Sequence, residues 1–371
     1  MGKSRSIWKR LETPFQWLRQ IAEIIRLCGR RFPRFSKIYF RSIGRGISLC
    51  LTRGYLPEEG DWFGLFDPDL SREKLSQFLS KKKLMKIQKG LNPASWSHVT
   101  EDKGIFYIYC KALGIPIPCL YGIFFRETPG WCLKGWRLVS REDWKRYLEE
   151  GVDGEFVIKP SRGVFGHKVK IFSRSDGEFQ EASGQSYTSE DIYEMMFQDP
   201  EYDRFIIQER LKNHPDLSPV LARSFLQTVR VVTFIDKKGA CHILLAGFRI
   251  LGGKNIIDNF ASGRSGNMMA PISLETGILK PARARENLSL PFREETIHPI
   301  TGNRIEGFHL PLWEDCRALA KESAFKFLPV RTTGWDIALT PKGPVIVEAN
   351  MWWNPANAYA SMDAVLTEME Q

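Results

Sequence analysis

The chain has 371 residues, of which 43% are hydrophobic and 26% are charged, and its formal net charge is +10. This length and composition predict two or three folded domains with a large core, and they exclude a mostly disordered protein. No apolar run approaches the roughly 20 residues of a membrane-spanning helix, and the N-terminus lacks the pattern of a signal peptide. The seven cysteines form no C-x-x-C motif. Their scatter disfavours zinc and disulfides and predicts a reducing, cytoplasmic location.

Much of the positive charge lies in the first 45 residues, which carry twelve Lys or Arg side chains and only two Glu. At helical spacing, Leu18, Ile21, Ile25 and Cys28 share one face and Arg19 lies on another. Such a basic amphipathic helix either packs on its own protein or lies on an anionic membrane, here the inner face. Nucleic acid is a third partner for a basic segment, but we expect none because the rest of the chain is near neutral.

Residues 1–95 are predicted to be mainly helical, with one helix over 71–89 and a boundary near Asn92-Pro93. Helices and strands mix beyond this boundary. Ser140, with Asp143 three residues later, is typical of a helix start. We expect helices at 102–113, 142–150 and 313–327, and strands at 120–124, 156–158, 168–172, 205–207, 228–235 and 241–250.

A strand that ends in Lys159 runs into a loop containing Ser161, Gly163 and Gly166, and then into a further strand. Glycines let backbone N–H groups approach anionic oxygens, and a lysine just before them adds a point charge. The spacing is not that of a Walker A loop, which leads into a helix. The segment therefore predicts either a flap over phosphates or a plain hairpin with an exposed lysine.

The segment Gln208-Glu209-Arg210-Leu211 follows an apolar strand at an expected crossover between two lobes. The backbone N–H and C=O groups of such a segment can pair with the edge of adenine, with Leu211 against the ring. Asp216, a few residues on, is a candidate for binding ribose hydroxyls. The alternative is a strand end that turns into a polar loop.

Four polar side chains interrupt apolar strands in the second half of the chain, namely Arg230, Asp336, Glu348 and Asn350. A buried arginine is costly unless paired, so Arg230 is expected to meet a carboxylate or a phosphate. The other three lie on two strands joined by a Gly/Pro turn. Alternation puts Glu348 and Asn350 on one side, and antiparallel pairing can bring Asp336 beside them. Such oxygen ligands suit Mg²⁺; a polar strand end facing water is the alternative.

The order of these motifs, from about residue 98 to residue 355, resembles that of the ATP-grasp superfamily. The set comprises Lys103, Lys159 with its glycine loop, Gln208 to Leu211, Arg230, Asp336 and Glu348-x-Asn350. A closer resemblance is to the sugar-transfer-associated ATP-grasp family. The motifs that carry it are Phe156 to Gly166, His214-Pro215-x-Leu217, Thr228 to Thr233, Asp258-Asn259-Phe260, His298-Pro299-x-Thr301-Gly302, Gly334-Trp335-Asp336 and Gly54-Tyr55-Leu56-Pro57.

The resemblance implies an α/β fold with α+β subdomains, the ATP-grasp fold, in which two lobes clasp the nucleotide. A mainly helical, basic N-terminal region precedes it. The implied divisions are residues 1–95 for the N-terminal region, 96–155 for a first α/β part, 156–211 for a small lobe with the phosphate-binding flap, and 212–371 for a large lobe with the Mg²⁺ site.

The resemblance also implies roles for individual residues in binding ATP and two Mg²⁺ ions. Lys103 and Lys159 would bind the α- and β-phosphates, and Arg230 would act with Lys159 as a catalytic residue on the transferring phosphoryl group. The other implied contacts are Ser161, Gly163 and Gly166 with phosphates, Gln208, Glu209 and Leu211 with adenine, Asp216 or His214 with ribose, and Asp336, Glu348 and Asn350 with magnesium.

The activity implied is that of a ligase, which activates a carboxylate as an acyl phosphate and transfers it to an amine, hydroxyl or thiol. The family name suggests an acceptor in cell-surface polysaccharide or a lipid-linked glycan. Arg249, Asp258, Asn259 and Arg264 are candidate substrate residues, because arginine can clamp a carboxylate. The alternatives are a phosphotransferase for a sugar or small molecule, and a non-catalytic nucleotide-binding protein whose basic arm binds membrane or nucleic acid.

Overall fold

Two antiparallel seven-stranded sheets and the helices packed against them form the body of the protein. The mixture of helices and strands, with a helical N-terminal region, confirms the predicted fold class. The computed structural model describes residues 4–76, 78–163, 166–175, 177–222, 224–252, 255–260, 263, 265–285, 292–354 and 367.

The N-terminal region consists of five helices within its described residues. They are α1 (Ser4–Arg31), α2 (Lys37–Arg53), α3 (Pro57–Trp62), α4 (Arg72–Ser76) and α5 (Lys81–Leu91). The prediction of one continuous helix over 71–89 was wrong. Ser80 begins a new helix there, because its Oγ accepts a hydrogen bond from the backbone N–H of Lys83 and donates one to the carbonyl of Arg53.

The residues predicted to share one face of α1 differ in burial. Cys28 is buried together with Ile24 and Leu27, whereas Leu18 is 65% exposed and Ile25 is 42% exposed. The face that packs on the protein is therefore centred on Ile24, Leu27 and Cys28. Apolar residues occur on two sides of this helix, and their spacing alone does not say which side meets the rest of the protein. Among the helices of the described residues, none combines the length and apolar character needed to cross a bilayer.

The first sheet combines strands from both sides of the expected division at residue 155. Its strands are β1 (Leu120–Phe125), β2 (Trp131–Cys132), β3 (Phe156–Pro160), β4 (Lys170–Ser175), β5 (Glu178–Glu181), β6 (Ser186–Tyr187) and β7 (Arg204–Glu209). Their order is β2-β1-β7-β3-β4-β5-β6. Since β1 pairs with β7, residues 96–155 and 156–211 share this sheet.

Four helices of this part of the chain follow their sequence signals closely. They are α6 (Ser97–Glu101), α7 (Lys103–Ala112), α8 (Arg141–Arg146) and α9 (Ser189–Phe197). Asp102 caps α7, and Gly114 follows it with a φ of +64°. Ser140 and Asp143 form the predicted capping box of α8, which continues as a π-helical turn over Tyr147–Gly151.

The second sheet contains the longest strands and the predicted hairpin. Its strands are β8 (Thr228–Ile235), β9 (Cys241–Ile250), β10 (Met268–Pro271), β11 (Ala282–Ala284), β12 (Arg293–Glu295), β13 (Thr332–Thr340) and β14 (Gly343–Asn350), in the order β12-β11-β10-β9-β8-β13-β14. The last helix, α10 (Trp313–Lys326), packs on this sheet. Asp336 pairs directly with Glu348, and a bulge follows because Ile337 pairs with Ile346.

One hydrophobic core joins the two sheets. Ile206 of β7, Val231 of β8, Phe248 of β9 and Trp335 of β13 belong to the same buried cluster. The rings of Phe327 and Trp335 meet edge to face at 5.1 Å. This continuous core fixes the position of one sheet relative to the other.

A buried ionic cluster attaches the N-terminal helices to the second sheet. Asp61 of α3 binds Arg285, which follows β11, at 3.1 Å, and it also binds Arg31 of α1 at 2.6 Å. The side chains of Arg285 and Asp61 are 0% and 4% exposed. Gln88 of α5 adds a hydrogen bond to the carbonyl of Trp353. The helices are therefore held to the sheet by charge as well as by apolar packing.

Replacement of Asp61 by Ala should lower the free energy of unfolding by about 3–5 kcal/mol, because two buried guanidinium groups lose this carboxylate. Denaturant unfolding followed by tryptophan fluorescence measures the change. The matched control is Asp69→Ala, which removes the exposed ion pair with Arg41 and should cost less than about 1 kcal/mol. Equal, small effects of both substitutions would contradict the structural role of the buried cluster.

Candidate active site

A cavity of about 1040 Å³ opens between the two sheets. Its walls are formed by the loop after β3, by β7, β8 and β9, by the paired ends of β13 and β14, and by the α3 segment of the N-terminal region. Pockets for small ligands usually measure roughly 300–1,000 Å³. The space therefore suffices for a nucleotide together with part of a second molecule.

Two buried lysines, on α7 and at the end of β3, line the cavity. Lys103, the first residue of α7, places Nζ at 2.7 Å from the carbonyl oxygen of Gly163 and at 3.0 Å from Oε1 of Glu348. Lys159, at the end of β3, donates to the hydroxyl of Tyr107 at 3.2 Å. Both ammonium groups lie where an anionic ligand could replace their present partners.

Asp336 lies at the centre of an ionic cluster on the second sheet. Its carboxylate binds Nε and Nη2 of Arg230, the latter at 3.0 Å, and Nη2 of Arg249 at 3.0 Å. The predicted carboxylate partner of Arg230 is therefore present. Arg249 also faces Asp258 at 3.7 Å. This arrangement holds two guanidinium groups at the cavity wall in fixed positions.

The charges of the cluster shift the acidity of both carboxylates of the hairpin. Burial would by itself raise the pKa of Asp336, but Arg230 and Arg249 outweigh it and lower the pKa below its ordinary value. Burial would also raise the pKa of Glu348, but Lys103 and Lys159 together outweigh it and lower this pKa below its ordinary value. Both side chains are therefore carboxylates at neutral pH.

The hairpin offers oxygen ligands of the kind that a hard cation takes. Asp336, Glu348 and Asn350 all line the cavity. Glu348 and Asn350 lie on the same side of β14 because side chains alternate along a strand, and Asp336 of β13 pairs with Glu348. The Glu348 side chain is 33% exposed, and the buried amide nitrogen of Asn350 has no hydrogen-bond partner among the described residues. These donors fit Mg²⁺. The hairpin set contains two carboxylates and one amide. Within the described residues, no group of three His, Cys, Asp or Glu side chains could hold a metal ion.

The glycine loop after β3 covers one side of the cavity, but one of its predicted phosphate contacts lies elsewhere. Gly163 and Gly166 line the cavity, and Gly166 has a φ of +72°. Ser161 does not line it: its buried Oγ donates to Asp102 at 2.6 Å and accepts the N–H of Gly104 at 3.2 Å. In this arrangement the hydroxyl of Ser161 fixes the start of α7, and its predicted contact with phosphate stays a prediction.

The predicted adenine segment only partly reaches the cavity. Gln208 lines it, and its Oε1 lies 2.9 Å from the hydroxyl of Tyr107. Glu209 and Leu211 do not line it. The backbone N–H of Glu209 donates to the carbonyl of Cys119, and its carboxylate accepts from the N–H of Cys119. The backbone N–H and the carboxylate of Glu209 are therefore occupied by Cys119 rather than free for adenine.

Neither candidate for the ribose hydroxyls lies at the cavity. The side chain of Asp216 is 74% exposed, 3.7 Å from Nδ1 of His214, in a 3₁₀-helix over Pro215–Val220. His214 donates its backbone N–H to Leu339. The sequence prediction for Asp216, with His214 as its alternative, is therefore not supported by this arrangement.

Three of the four candidate substrate residues lie on the cavity wall. Arg249, Asp258 and Asn259 line the cavity, whereas Arg264 lies outside the described residues. Asp258 accepts hydrogen bonds from both the backbone N–H and the hydroxyl of Thr228. Burial raises the pKa of Asp258, although Arg249 acts against this rise.

Sequence reasoning missed two parts of the site. Tyr107, fully buried in α7, lies within hydrogen-bond distance of Lys159, Gln208 and the carbonyl of Val347. The α3 segment forms one wall of the cavity through Leu56, Glu58, Trp62 and Phe63. Tyr107 carries no sequence signal, because a tyrosine in an apolar helix is an ordinary feature. The motif Gly54-Tyr55-Leu56-Pro57 at the start of the α3 segment contributed to the family resemblance, but it gave no indication that this segment lines the cavity.

Two sheets around a cleft lined by lysine, arginine and carboxylate side chains define an ATP-grasp protein. The sequence profile described as "Sugar-transfer associated ATP-grasp" matches residues 84–369. The chain belongs to this family, which confirms the resemblance predicted from the motifs. No curated protein sequence matches the chain.

Several solved structures are similar to the chain at low identity. N5-carboxyaminoimidazole ribonucleotide synthetase in complex with ADP has 12% identity and a TM-score of 0.40, covering 76% of this chain and 53% of that one. D-alanine–D-alanine ligase from Bacillus anthracis has 13% identity and a TM-score of 0.39, covering 81% and 74%. D-alanyl-alanine synthetase A from Vibrio cholerae has 12% identity and a TM-score of 0.41, covering 76% and 63%. At these values we draw neither activity nor substrate from them.

Substitution of Ser161 by Ala distinguishes a structural from a ligand-binding hydroxyl. We expect nucleotide affinity to change less than about twofold, while stability falls by about 1–2 kcal/mol because Asp102 and Gly104 each lose a buried partner. Calorimetric titration with nucleotide and denaturant unfolding provide the two values. A large loss of affinity in a protein of unchanged stability would restore the original assignment.

Nucleotide binding should take up a proton at Lys159. Burial lowers the pKa of Lys159 to about 7, so the free amine predominates at pH 8. A bound phosphate favours the ammonium and raises its pKa. Affinity should therefore fall as the pH rises above 7, by at most about tenfold per pH unit.

The proton uptake is measured by titration calorimetry at pH 8 in two buffers of different ionisation enthalpy. Lys159→Met should abolish the difference between the buffers. The control Lys342→Met, in the exposed turn between β13 and β14, should retain it. Undiminished proton uptake in Lys159→Met would show that another group titrates.

Proposed function

We propose that this protein is an ATP-dependent ligase that activates a carboxylate as an acyl phosphate and transfers the acyl group to an amine acceptor, or to a hydroxyl or thiol. The observation that carries this proposal is the single cleft in which Lys103, Lys159, Arg230 and Arg249 face the carboxylates of Asp336 and Glu348. Membership of the sugar-transfer associated ATP-grasp family supports ATP as the nucleotide.

Phosphoryl transfer needs correct positioning and neutralisation of negative charge more than covalent help from the protein. Lys103 and Lys159 are the candidates for contacts with the phosphates, beneath the loop that contains Gly163 and Gly166. Lys103 already binds Glu348, so a phosphate oxygen would take over a cation that is held in place. Asp336, Glu348 and Asn350 would hold Mg²⁺, which when bound neutralises phosphate oxygens.

In the first step, an oxygen of the donor carboxylate attacks the γ-phosphorus, and the bond from this phosphorus to the bridging oxygen of ADP breaks. In the second step, the acceptor nitrogen attacks the acyl carbon, and the carbon–oxygen bond to phosphate breaks. The nitrogen loses a proton, and the products are an amide, ADP and phosphate. Arg230 and Arg249 are oriented by Asp336 and can stabilise the negative charge of the acyl phosphate.

An acyl phosphate must be kept from water. The glycine loop after β3 and the α3 segment both line the cavity, and movement of the loop towards bound substrates would exclude water. For the acceptor we propose a glycan or its lipid-linked precursor. The family description supports a link to sugar transfer, and Trp62 and Trp352 at the cavity offer flat apolar faces for a sugar ring.

The test is a screen of carboxylic acids with amines and amino sugars for phosphate release from ATP, followed by mass spectrometry. We expect phosphate release that depends on both substrates and a product equal to their sum minus water. A product that retains the phosphate group would favour the phosphotransferase. Nucleotide binding without turnover for any pair would favour the non-catalytic alternative.

Glu348→Gln should reduce ATP turnover by a factor on the order of 100 or more, because it removes the negative charge that orients Lys103 and replaces one of the two carboxylate oxygens by an NH₂ group. The fold should remain intact, since the two side chains have the same shape and Glu348 is partly exposed. Glu306→Gln is the control, because Glu306 forms an exposed pair with Arg304. Undiminished turnover in Glu348→Gln, with an unchanged thermal midpoint, would refute the assignment.

A further inference from the structure

The two N-terminal helices expose a row of large apolar side chains. We define the apolar face as Leu18, Ile25, Phe35, Phe40 and Leu51, which are 65%, 42%, 81%, 58% and 61% exposed. Sixteen large apolar side chains are exposed among the described residues. Five of them therefore fall within 34 consecutive residues, less than a tenth of the chain. Clustering of this kind marks an interaction site rather than the scatter of an ordinary surface.

The spacing of these residues places them on the outer sides of the helices. Leu18 and Ile25 are seven residues apart on α1, and Phe40 and Leu51 are eleven apart on α2; both intervals return to the same side of an α-helix. Other sides of the two helices pack together through the cluster that contains Ile24, Leu27, Cys28, Tyr39 and Cys50. The apolar face is therefore not needed for the contact between α1 and α2.

Cations without carboxylate partners accompany the apolar face. Arg19, Arg30, Arg34 and Lys37 form no ion pair with any described side chain and are exposed. Arg31 and Arg45 behave differently, since they bind Asp61 and the carbonyl groups of Pro68 and Leu70. We define the unpaired cations as Arg19, Arg30, Arg34 and Lys37. Since an α-helix turns by about 100° per residue, Lys37 lies within about 60° of the apolar row on α2. Arg19 and Arg30 lie on a second side of α1, roughly 100–140° around the helix from Leu18 and Ile25.

We propose that α1 and α2 dock on an anionic lipid surface through the apolar face and the unpaired cations. Apolar side chains of an interfacial helix enter the boundary between headgroups and acyl chains, while arginine and lysine beside them reach the lipid phosphates. Residues 16–56 contain nine Lys or Arg and a single acid, Glu23, which is already paired with Arg26. The charge of the surface is therefore complementary to anionic lipid.

Other occupants fit this surface less well. Nucleic acid would use the cations but would gain nothing from exposed leucine and isoleucine side chains. A second copy of the chain would bring the unpaired cations of both copies together without acids to compensate them. A lipid surface uses both features at once. This inference does not depend on the proposed ligase activity.

The experiment is co-sedimentation of the full chain with vesicles of phosphatidylcholine containing roughly a third phosphatidylserine, compared with vesicles of phosphatidylcholine alone. We expect binding to the mixed vesicles that weakens as salt is added. The apolar variant combines Leu18→Gln, Ile25→Gln, Phe40→Gln and Leu51→Gln and should lose at least tenfold in affinity. The matched control combines Leu133→Gln, Ile297→Gln, Ile300→Gln and Phe325→Gln, four exposed apolar positions elsewhere, and should bind as the unsubstituted protein does.

A charge variant tests the contribution of the unpaired cations independently of the apolar face. It combines Arg19→Gln, Arg30→Gln, Arg34→Gln and Lys37→Gln, and each lost cation should weaken binding to the mixed vesicles by about fivefold. Its preference for mixed vesicles over phosphatidylcholine vesicles should be correspondingly reduced. These four side chains form no ion pairs within the described residues, so this variant should fold even where the apolar variant does not.

Two results would overturn the proposal: no binding of the full chain to mixed vesicles, or equal binding by the charge variant and the unsubstituted protein. Light scattering measures whether the protein associates with itself. Self-association that the apolar variant abolishes, without any vesicle binding, would instead assign the face to a second copy of the chain.

Discussion

The cleft of this protein depends on the mutual compensation of charges that are removed from water. Lys103, Lys159, Arg230 and Arg249 meet Asp336, Glu348 and Asp258 in a space between two sheets. An isolated charge in such a place would cost several kcal/mol, and each of these charges has a partner of opposite sign or a hydrogen bond. The fold can therefore present a row of cations to a ligand without losing stability.

Because the cations of the cleft are already paired with carboxylates, an anionic ligand that binds them must replace these carboxylates. Lys103 binds Glu348 and Arg230 binds Asp336 in the protein alone. A polyanion that enters the cleft must attract these cations more strongly than the carboxylates do, and a divalent cation arriving with it would satisfy the carboxylates left behind. Charge neutrality thus couples the two ligands physically, since either one alone leaves an unpaired group in the cleft.

The features that the sequence predicts well are those that depend on neighbouring residues. The capping box at Ser140 and the pairing of Asp336 with Glu348 follow from helix starts, turn chemistry and strand alternation. The features that it predicts poorly involve distant partners. Ser161 is bound by Asp102, and Glu209 is occupied by Cys119, contacts that span 59 and 90 positions of the chain. No local pattern reports such pairings, because they arise only when the first sheet forms.

The position of α3 has a consequence for how the ATP-grasp unit is delimited. The family profile begins at residue 84, yet Leu56, Glu58, Trp62 and Phe63 close one wall of the cavity. A protein trimmed to the profile would have an open cleft and an uncovered sheet, and Arg285 would lose Asp61. The unit that keeps its cavity wall complete therefore starts well upstream of residue 84, and a fusion protein that carries only the profile region would lack part of this wall.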